Sequence, residues 1–344
     1  MKKTLAVAAV LAAFAGSAMA DVTLYGRVDT GFAVLHNGLT DATDFGMMSG
    51  QSTGSRWGIK GSEAISDKVK VGFQFEGGFS SDDGRMGQGA KESALAADKE
   101  HSRLFGREAR VYVATEYGTF HFGRMGTLNS GAGSVDLLGG ITAFGTGWGD
   151  DYVLGDVDYG MHRDTRRDNV VTYESPKMAG AKVYAQVSLK DEENAKGLES
   201  KAEANRYYAL GATYDVGALH AAAVIAEYDN KDGSEAKDYL VGASYNFGAF
   251  QLFASANLYD DGDEQVGLML GAKVPAFGGK FTANVGYTDK DEADKQQQTF
   301  AVGYEYPFSK ATNVYAGVGY NQVEQAGVET EKSTIGMVGL VHKF

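Results

Sequence analysis

The sequence predicts an all-β protein: a sixteen-stranded antiparallel β-barrel that crosses a membrane. Three observations carry that prediction. Segment after segment alternates apolar and polar residues with period two, the signature of strands with one oily and one wet face. Most segments run about 10–13 residues, long enough to cross a hydrocarbon layer at a tilt and longer than the usual strand of a soluble domain. The connections alternate between tight turns and long loops.

Composition agrees. Of 344 residues 43% are hydrophobic and 22% charged, which is not the balance of a disordered chain. Glycine is abundant at 47 against 3 prolines, and 19 tyrosines with 18 phenylalanines favour extended segments closed by short turns. The mean hydropathy of −0.26 is compatible with a membrane barrel, because only alternate positions of each strand are apolar. Cysteine is absent, which excludes a disulfide framework, a thiolate metal site, an iron–sulfur cluster and a catalytic thiol. A formal charge of −13 argues against nucleic acid as a partner.

Residues 1–20 (MKKTLAVAAVLAAFAGSAMA) join two lysines, a short apolar run and an Ala18-Met19-Ala20 site. This is a cleaved secretory signal peptide, leaving residues 21–344 as one exported domain. No later stretch is apolar enough for a transmembrane helix. Strands follow over 21–35, 54–64, 68–80, 103–116, 119–126, 166–175, 180–190, 204–215, 217–229, 237–247, 249–260, 265–274, 279–289, 297–306, 311–323 and 332–344. The third shows the pattern well: Val69, Val71, Phe73 and Phe75 against Lys70, Gly72, Gln74 and Glu76. The fourth, fifth and ninth alternate poorly. Tight turns fall at 65–67, 117–118, 178–179, 217, 248 and 308–310, and long connections at 36–53, 81–102, 127–165 and 191–203. Aromatics near strand ends, Tyr25, Tyr117, Tyr214, Tyr228, Tyr245 and Tyr306 among them, fit either interfacial girdles or ordinary packing. The last strand closes on Phe344, which fits an outer-membrane assembly signal.

Alternation also sorts the charged residues. In the first strand Val22, Leu24, Val28, Phe32 and Val34 face out, leaving Arg27 and Asp29 inside. In the second, Arg56 and Lys60 oppose Trp57 and Ile59; in the sixth, Arg166, Asp168, Thr172 and Glu174 oppose Val171 and Tyr173. Arginine on a barrel wall is costly toward lipid and comfortable toward water, so each of these lines the lumen or pairs with a wall acid there.

Five stretches, DVTLYGRVD (21–29), SRWGIKGSE (55–63), RLFGRE (103–108), YGTFHFGR (117–124) and RRDNVVTYESP (166–176), together with the closing HKF, resemble the general diffusion porins of Gram-negative bacteria, most nearly the neisserial and β-proteobacterial branch. The resemblance implies a trimer, long extracellular loops with the third folded into the lumen, and an outer-membrane channel for ions and small hydrophilic solutes. It also implies a basic constriction wall at Arg56, Arg107 and Arg166. The 127–165 stretch, the longest without pattern, corresponds to that third loop. Folded inward, Asp136, Asp150 and Asp151 would face the arginines, with Asp136 favoured. Two features depart from the family: the loop has no proline, and Glu108 stands where Gln is more usual.

No Gly-x-Ser-x-Gly, Walker loop, His-Glu-x-x-His or dinucleotide fingerprint is present, and the six histidines lack ligand spacing, so neither an enzyme nor a cofactor or metal site is expected. The expected partners are copies of the same chain, outer-membrane lipid and lipopolysaccharide, and the permeating solutes. A channel preferring one anion or sugar is the alternative to general diffusion.

Overall fold

A strand whose alternate residues are apolar is stable only if one face meets lipid or core and the other meets water, and a sheet of such strands loses its open edges by closing on itself. The computed structural model describes residues 22–87, 103–144, 166–189, 205–230, 232–291 and 294–344 and shows that closure. The expected signal peptide, Asp150 and Asp151 lie outside the described residues.

The first half of the wall contains β1 (Thr23–Asn37), β2 (Ala42–Ser49), β3 (Arg56–Ser66), β4 (Val69–Phe79), a two-residue β5 (Met86–Gly87), β6 (Glu108–Thr115), β7 (Gly118–Gly126), β8 (Arg166–Glu174) and β9 (Ala181–Ser188). The second half contains β10 (Arg206–Val216), β11 (Leu219–Asp229), β12 (Glu235–Asn246), β13 (Gln251–Asp260), β14 (Glu264–Ala276), β15 (Gly279–Lys290), β16 (Lys295–Pro307), β17 (Thr312–Gln325) and β18 (Val328–Lys343). Wall neighbours are antiparallel, and β1 returns to pair with β18 from Arg27↔Lys343 to Asn37↔Ser333. Both β2 and β3 lie along β1, pairing with its upper and lower parts, so they form one wall strand interrupted at 50–55. With β5 a short appendage to β4, the barrel has sixteen wall strands.

Exposure follows the pleat. On β10 Leu210 is 66% exposed beside Ala209 at 5%, and on β14 Leu270 is 63% exposed beside Met269 at 2%. Large exposed apolar side chains on every other residue make a lipid-facing band. At the tight-turn end it is bordered by aromatic clusters, Tyr245–Phe247–Phe250 and Phe277–Phe281–Tyr304 among them.

Three expectations need correction. The 36–53 connection is not one long loop, because Ala42–Ser49 pairs with β1 over Asn37↔Ala42 to Thr30↔Ser49. The strand expected from 103 begins at Glu108. Tyr25 and Tyr228 face the lumen rather than a girdle: Tyr25 donates to Glu76, and Tyr228 is buried against the inward loop.

The closing seam is held from inside. Asp29 on β1 is fully buried, and Tyr315 on β17 reaches across β18 to donate a 2.6 Å hydrogen bond to its carboxylate. The reach is possible because Gly339 lies between them; a Cβ there would stand 2.3 Å from the tyrosine oxygen. Outside, Phe344 exchanges both backbone hydrogen bonds with Gly26. Replacing Tyr315 by Phe removes one donor from a buried carboxylate and should cost about 1–3 kcal/mol. The check is the urea or thermal midpoint of the refolded barrel; an unchanged midpoint would show that the bond does not help closure.

Candidate functional site

The interruption between β2 and β3 builds one side of the lumen. Residues 50–55 fold over Asp29, whose Oδ2 accepts the backbone N–H groups of Ser52 and Thr53 at 2.7 Å each. That places the Thr53 hydroxyl between two guanidinium groups: Arg27 donates to it at 3.2 Å and Arg56 at 2.9 Å. Arg27 and Arg56 are register partners on β1 and β3, so both enter the lumen at the same height. The Arg56 Nε donates to the Gly54 carbonyl at 2.9 Å, which fixes the plane of its guanidinium.

Glu76 on β4 is the carboxylate these cations share. Arg107 Nε donates to its Oε1 at 2.8 Å, Arg56 Nη1 stands 3.6 Å from the same atom, and the Tyr25 hydroxyl donates to Oε2 at 3.0 Å. Around the wall, Arg110 pairs with Glu108 at 3.3 Å, and Arg103 and Arg124 both donate to Asp168 Oδ1, at 2.7 and 2.8 Å. Arg166 lies within electrostatic reach of Arg107, Arg124 and Glu76. Its Nε is buried and makes no hydrogen bond. Among the described residues this face therefore sets Arg27, Arg56, Arg103, Arg107, Arg110, Arg124 and Arg166 against Glu76, Glu108 and Asp168. With Asp29, which lies beside Arg27, four carboxylates stand against seven arginines among the described residues.

The opposite wall is apolar and occupied. The loop from 127 to 144 lies inside the barrel with Leu128, Val135, Leu137, Leu138, Ile141 and Ala143 packed on Tyr207, Ala209, Ala222, Val224, Ala226 and Leu240. Wall glycines receive the larger contacts: Leu137 sits over Gly211 of β10, Ile141 over Gly242 of β12 and Ala143 over Gly271 of β14. Phe144 continues to a second cluster with Ala33, Tyr315, Ile335 and Met337. Polar pins hold the start of the loop. Asn129 donates to Tyr228 at 3.1 Å and to Asp238 at 2.5 Å, and accepts from Tyr207 at 3.0 Å; Ser134 donates its N–H and hydroxyl to Glu108, at 2.5 and 2.7 Å.

Of the residues expected at a constriction, Arg27, Arg56, Arg107 and Arg166 come together. Lys60 does not: pairing with Thr23, it lies four residues further along β3 toward the tight-turn end than Arg56. Asp136 meets none of these arginines. Its carboxylate caps a turn of its own loop, accepting from Leu138 N at 2.8 Å and Gly139 N at 3.0 Å, because two backbone donors two and three residues ahead are nearer than any wall cation. Sequence reasoning passed over Glu76, although it sits on the polar face of a cleanly alternating strand. It also passed over Thr53, in a segment read as loop, and Asn129, whose partners are more than 70 residues away.

Residues 6–326 match the Gram-negative porin family. The chain is 29% identical to an outer membrane porin protein of Bordetella pertussis and 27% identical to the major outer membrane protein P.IB of Neisseria meningitidis, each alignment covering 100% of both chains. Among solved structures it is similar to the anion-selective porin from Comamonas acidovorans, with a TM-score of 0.70, 24% identity, and coverage of 94% of this chain and 100% of that one.

Burial between loop and wall pushes the Asp136 carboxyl up to about 6, against the opposing pull of the backbone N–H groups of Leu138, Gly139 and Gly131. A carboxyl whose pKa is raised on folding binds more protons in the native state, so its ionisation removes stability as pH rises from the ordinary aspartate value through about 6. Asp136→Asn should abolish that component. Melting the refolded barrel at several pH values tests it: the midpoint difference should shift in favour of the variant as pH rises from about 4 to 7. A constant difference would contradict the assignment.

Proposed function

The chain belongs to the Gram-negative porin family and forms an outer-membrane channel for passive diffusion, and on that premise we propose that it favours anions, with Arg27, Arg56, Arg107 and Arg166 setting the preference. The observation that carries this reading is the charge balance of the β1–β8 face among the described residues, where Arg56 and Arg107 both stand on the Glu76 carboxylate and Arg166 has no ion pair.

Charge on a lumen wall acts on passing ions without binding them. A hydrated ion at the wall interacts with one guanidinium by about 1 kcal/mol in water, and several cations facing the same side add in sign. Anions are concentrated and cations depleted within a Debye length of the wall, about 10 Å at 0.1 M salt. The Arg56 guanidinium is held by Thr53 and Gly54, so it need not reorganise as an ion passes. The 127–144 loop narrows the lumen from the other side, which brings every permeating solute within reach of this face. Such a channel admits small hydrophilic solutes by size and sorts them by charge.

The same reading takes the assembly to be a homotrimer in outer-membrane lipid and lipopolysaccharide, residues 1–20 to be removed on export, and Phe344 to serve in barrel assembly. Its relatives are porins, which are channel proteins rather than enzymes.

The test is the zero-current potential of single channels in a potassium chloride gradient. Wild type should give the sign of chloride preference, and Arg166→Ser should reduce the chloride-to-potassium permeability ratio by about fivefold at low salt, with a smaller change at 1 M where the Debye length falls to about 3 Å. Cation preference in wild type, or no change in the variant, would overturn the assignment.

A further inference from the structure

We propose that the lumen holds a second binding site, on the tight-turn side of the arginine face, for a hexose-sized sugar acid, meaning a sugar carboxylate or sugar phosphate. This rests on the diffusion-channel reading and adds a solute class to it.

The site is a cavity of about 520 Å³ walled by inward-facing residues of β1, β3, β4, β6, β7 and β8. That volume lies in the range of small-molecule sites. Lys60 stands about 13 Å along its strand from Arg56, four residues at the rise of an extended chain, so the cavity lies beyond Arg56 toward the tight turns and borders the arginine face at Arg110.

Four features of the wall define the ligand. Among the described residues Lys60 is a cation without a carboxylate partner; its ammonium lies 5.1 Å from the Tyr25 ring centre, and the residue is exposed. The other charges on the wall are already matched. Glu174 is paired with Lys182, and Arg110 is held by Glu108, Gln74 and His121. An incoming anion therefore meets Lys60 as the unpaired cation of this wall among the described residues. Secondly, Thr23, Ser62 and Thr119 present hydroxyl groups to the cavity, a set that suits the hydroxyls of a sugar better than it suits a bare inorganic ion. Thirdly, Tyr112, packed over Gly72 with the Arg110 guanidinium across its ring, adds an aromatic edge to the cavity that can meet the C–H groups of a pyranose.

The fourth feature is His121. Its side chain is 7% exposed, and its Nδ1 stands 2.5 Å from Arg110 Nη1. A guanidinium only donates, so Nδ1 accepts and the ring proton is assigned to Nε2. Nε2 makes no hydrogen bond and lies 3.7 Å from Glu174 on the cavity wall. It is a buried donor whose near acceptor, Glu174, stands beyond hydrogen-bond distance, so a ligand oxygen entering the cavity can take it up.

The experiment is single-channel recording at low salt with glucuronate, glucose 6-phosphate or glucose added to each side in turn. Wild type should show concentration-dependent interruptions with one or both acids, more readily from the tight-turn side, and none with glucose. The acid that blocks identifies the carboxylate or the phosphate as the recognised group. Lys60→Gln should raise the half-blocking concentration about tenfold, the loss expected for one charged hydrogen bond, and Lys60→Arg should restore most of it. Open channels that neither acid interrupts, equal block by glucose, or block unchanged in Lys60→Gln would each overturn the proposal. Folded protein that carries no current at all would instead overturn the diffusion reading on which it rests.

Discussion

A segment of chain packed inside a barrel needs a wall that will bury it, and the rest of this molecule is arranged around that demand. The wall facing the 127–144 loop is built from small and aliphatic residues, Ala209, Ala222, Val224 and Ala226, with glycine where the loop presses hardest. Ile141 is fully buried there; shortening such a side chain to alanine commonly costs about 2–5 kcal/mol. Gly211, Gly242 and Gly271 accept Leu137, Ile141 and Ala143 in turn along β10, β12 and β14, so the loop is seated at several strands rather than hinged at one. This seat lies against β10–β14, across from the arginines carried by β1–β8.

The basic half depends on a different device, a tyrosine that crosses a glycine to reach a carboxylate two strands away. Tyr315 passes over Gly339 to Asp29, and Tyr25 passes over Gly58 to Glu76. Asp29, held in this way, orders the 50–55 segment, and Thr53 of that segment orients Arg27 and Arg56. Glu76 fixes Arg107 against Arg56. Like charges are thus brought close by neutral oxygens and one shared anion, and the surplus remains directed at the lumen. Glu108 contributes to both halves, since it pairs Arg110 on the wall and anchors Ser134 of the loop.

Strand number, closure and the inward faces of β1 and β3 were legible because period two needs only local sequence, whereas β8 breaks its period near Asn169, where φ is 53° and the register against β7 shifts, and turns Arg167 onto Tyr207 and Tyr228. The chain was least legible where a strand serves two apolar neighbours. Leu219–Asp229 alternates poorly as a pattern because Ile225 faces lipid while Ala222, Val224 and Ala226 face the loop, so both faces are apolar for different reasons. Ala42–Ser49 lacks a strand pattern of its own because Asp44 and the glycine at 46 dilute it, and β1 supplies the pairing. Asp136 illustrates the limit for sites. Its spacing in an acidic loop suggested an ion pair, and only the fold shows the turn that takes its oxygens.

The central claim is that the inward loop is seated and the channel stands open beside it. Because the chain contains no cysteine, Leu137→Cys with Gly211→Cys places one thiol on the loop and one on its seat, where the leucine tip now stands 2.7 Å from the site of a Gly211 Cβ and its removal leaves room for the sulfur bridge. Open-channel conductance of the double variant, recorded oxidised and then reduced in the same bilayer, is the direct measurement. A seated loop predicts ready disulfide formation with conductance the same in both states. Failure of the pair to cross-link in folded protein, or a conductance that changes when the bond is reduced, would contradict it.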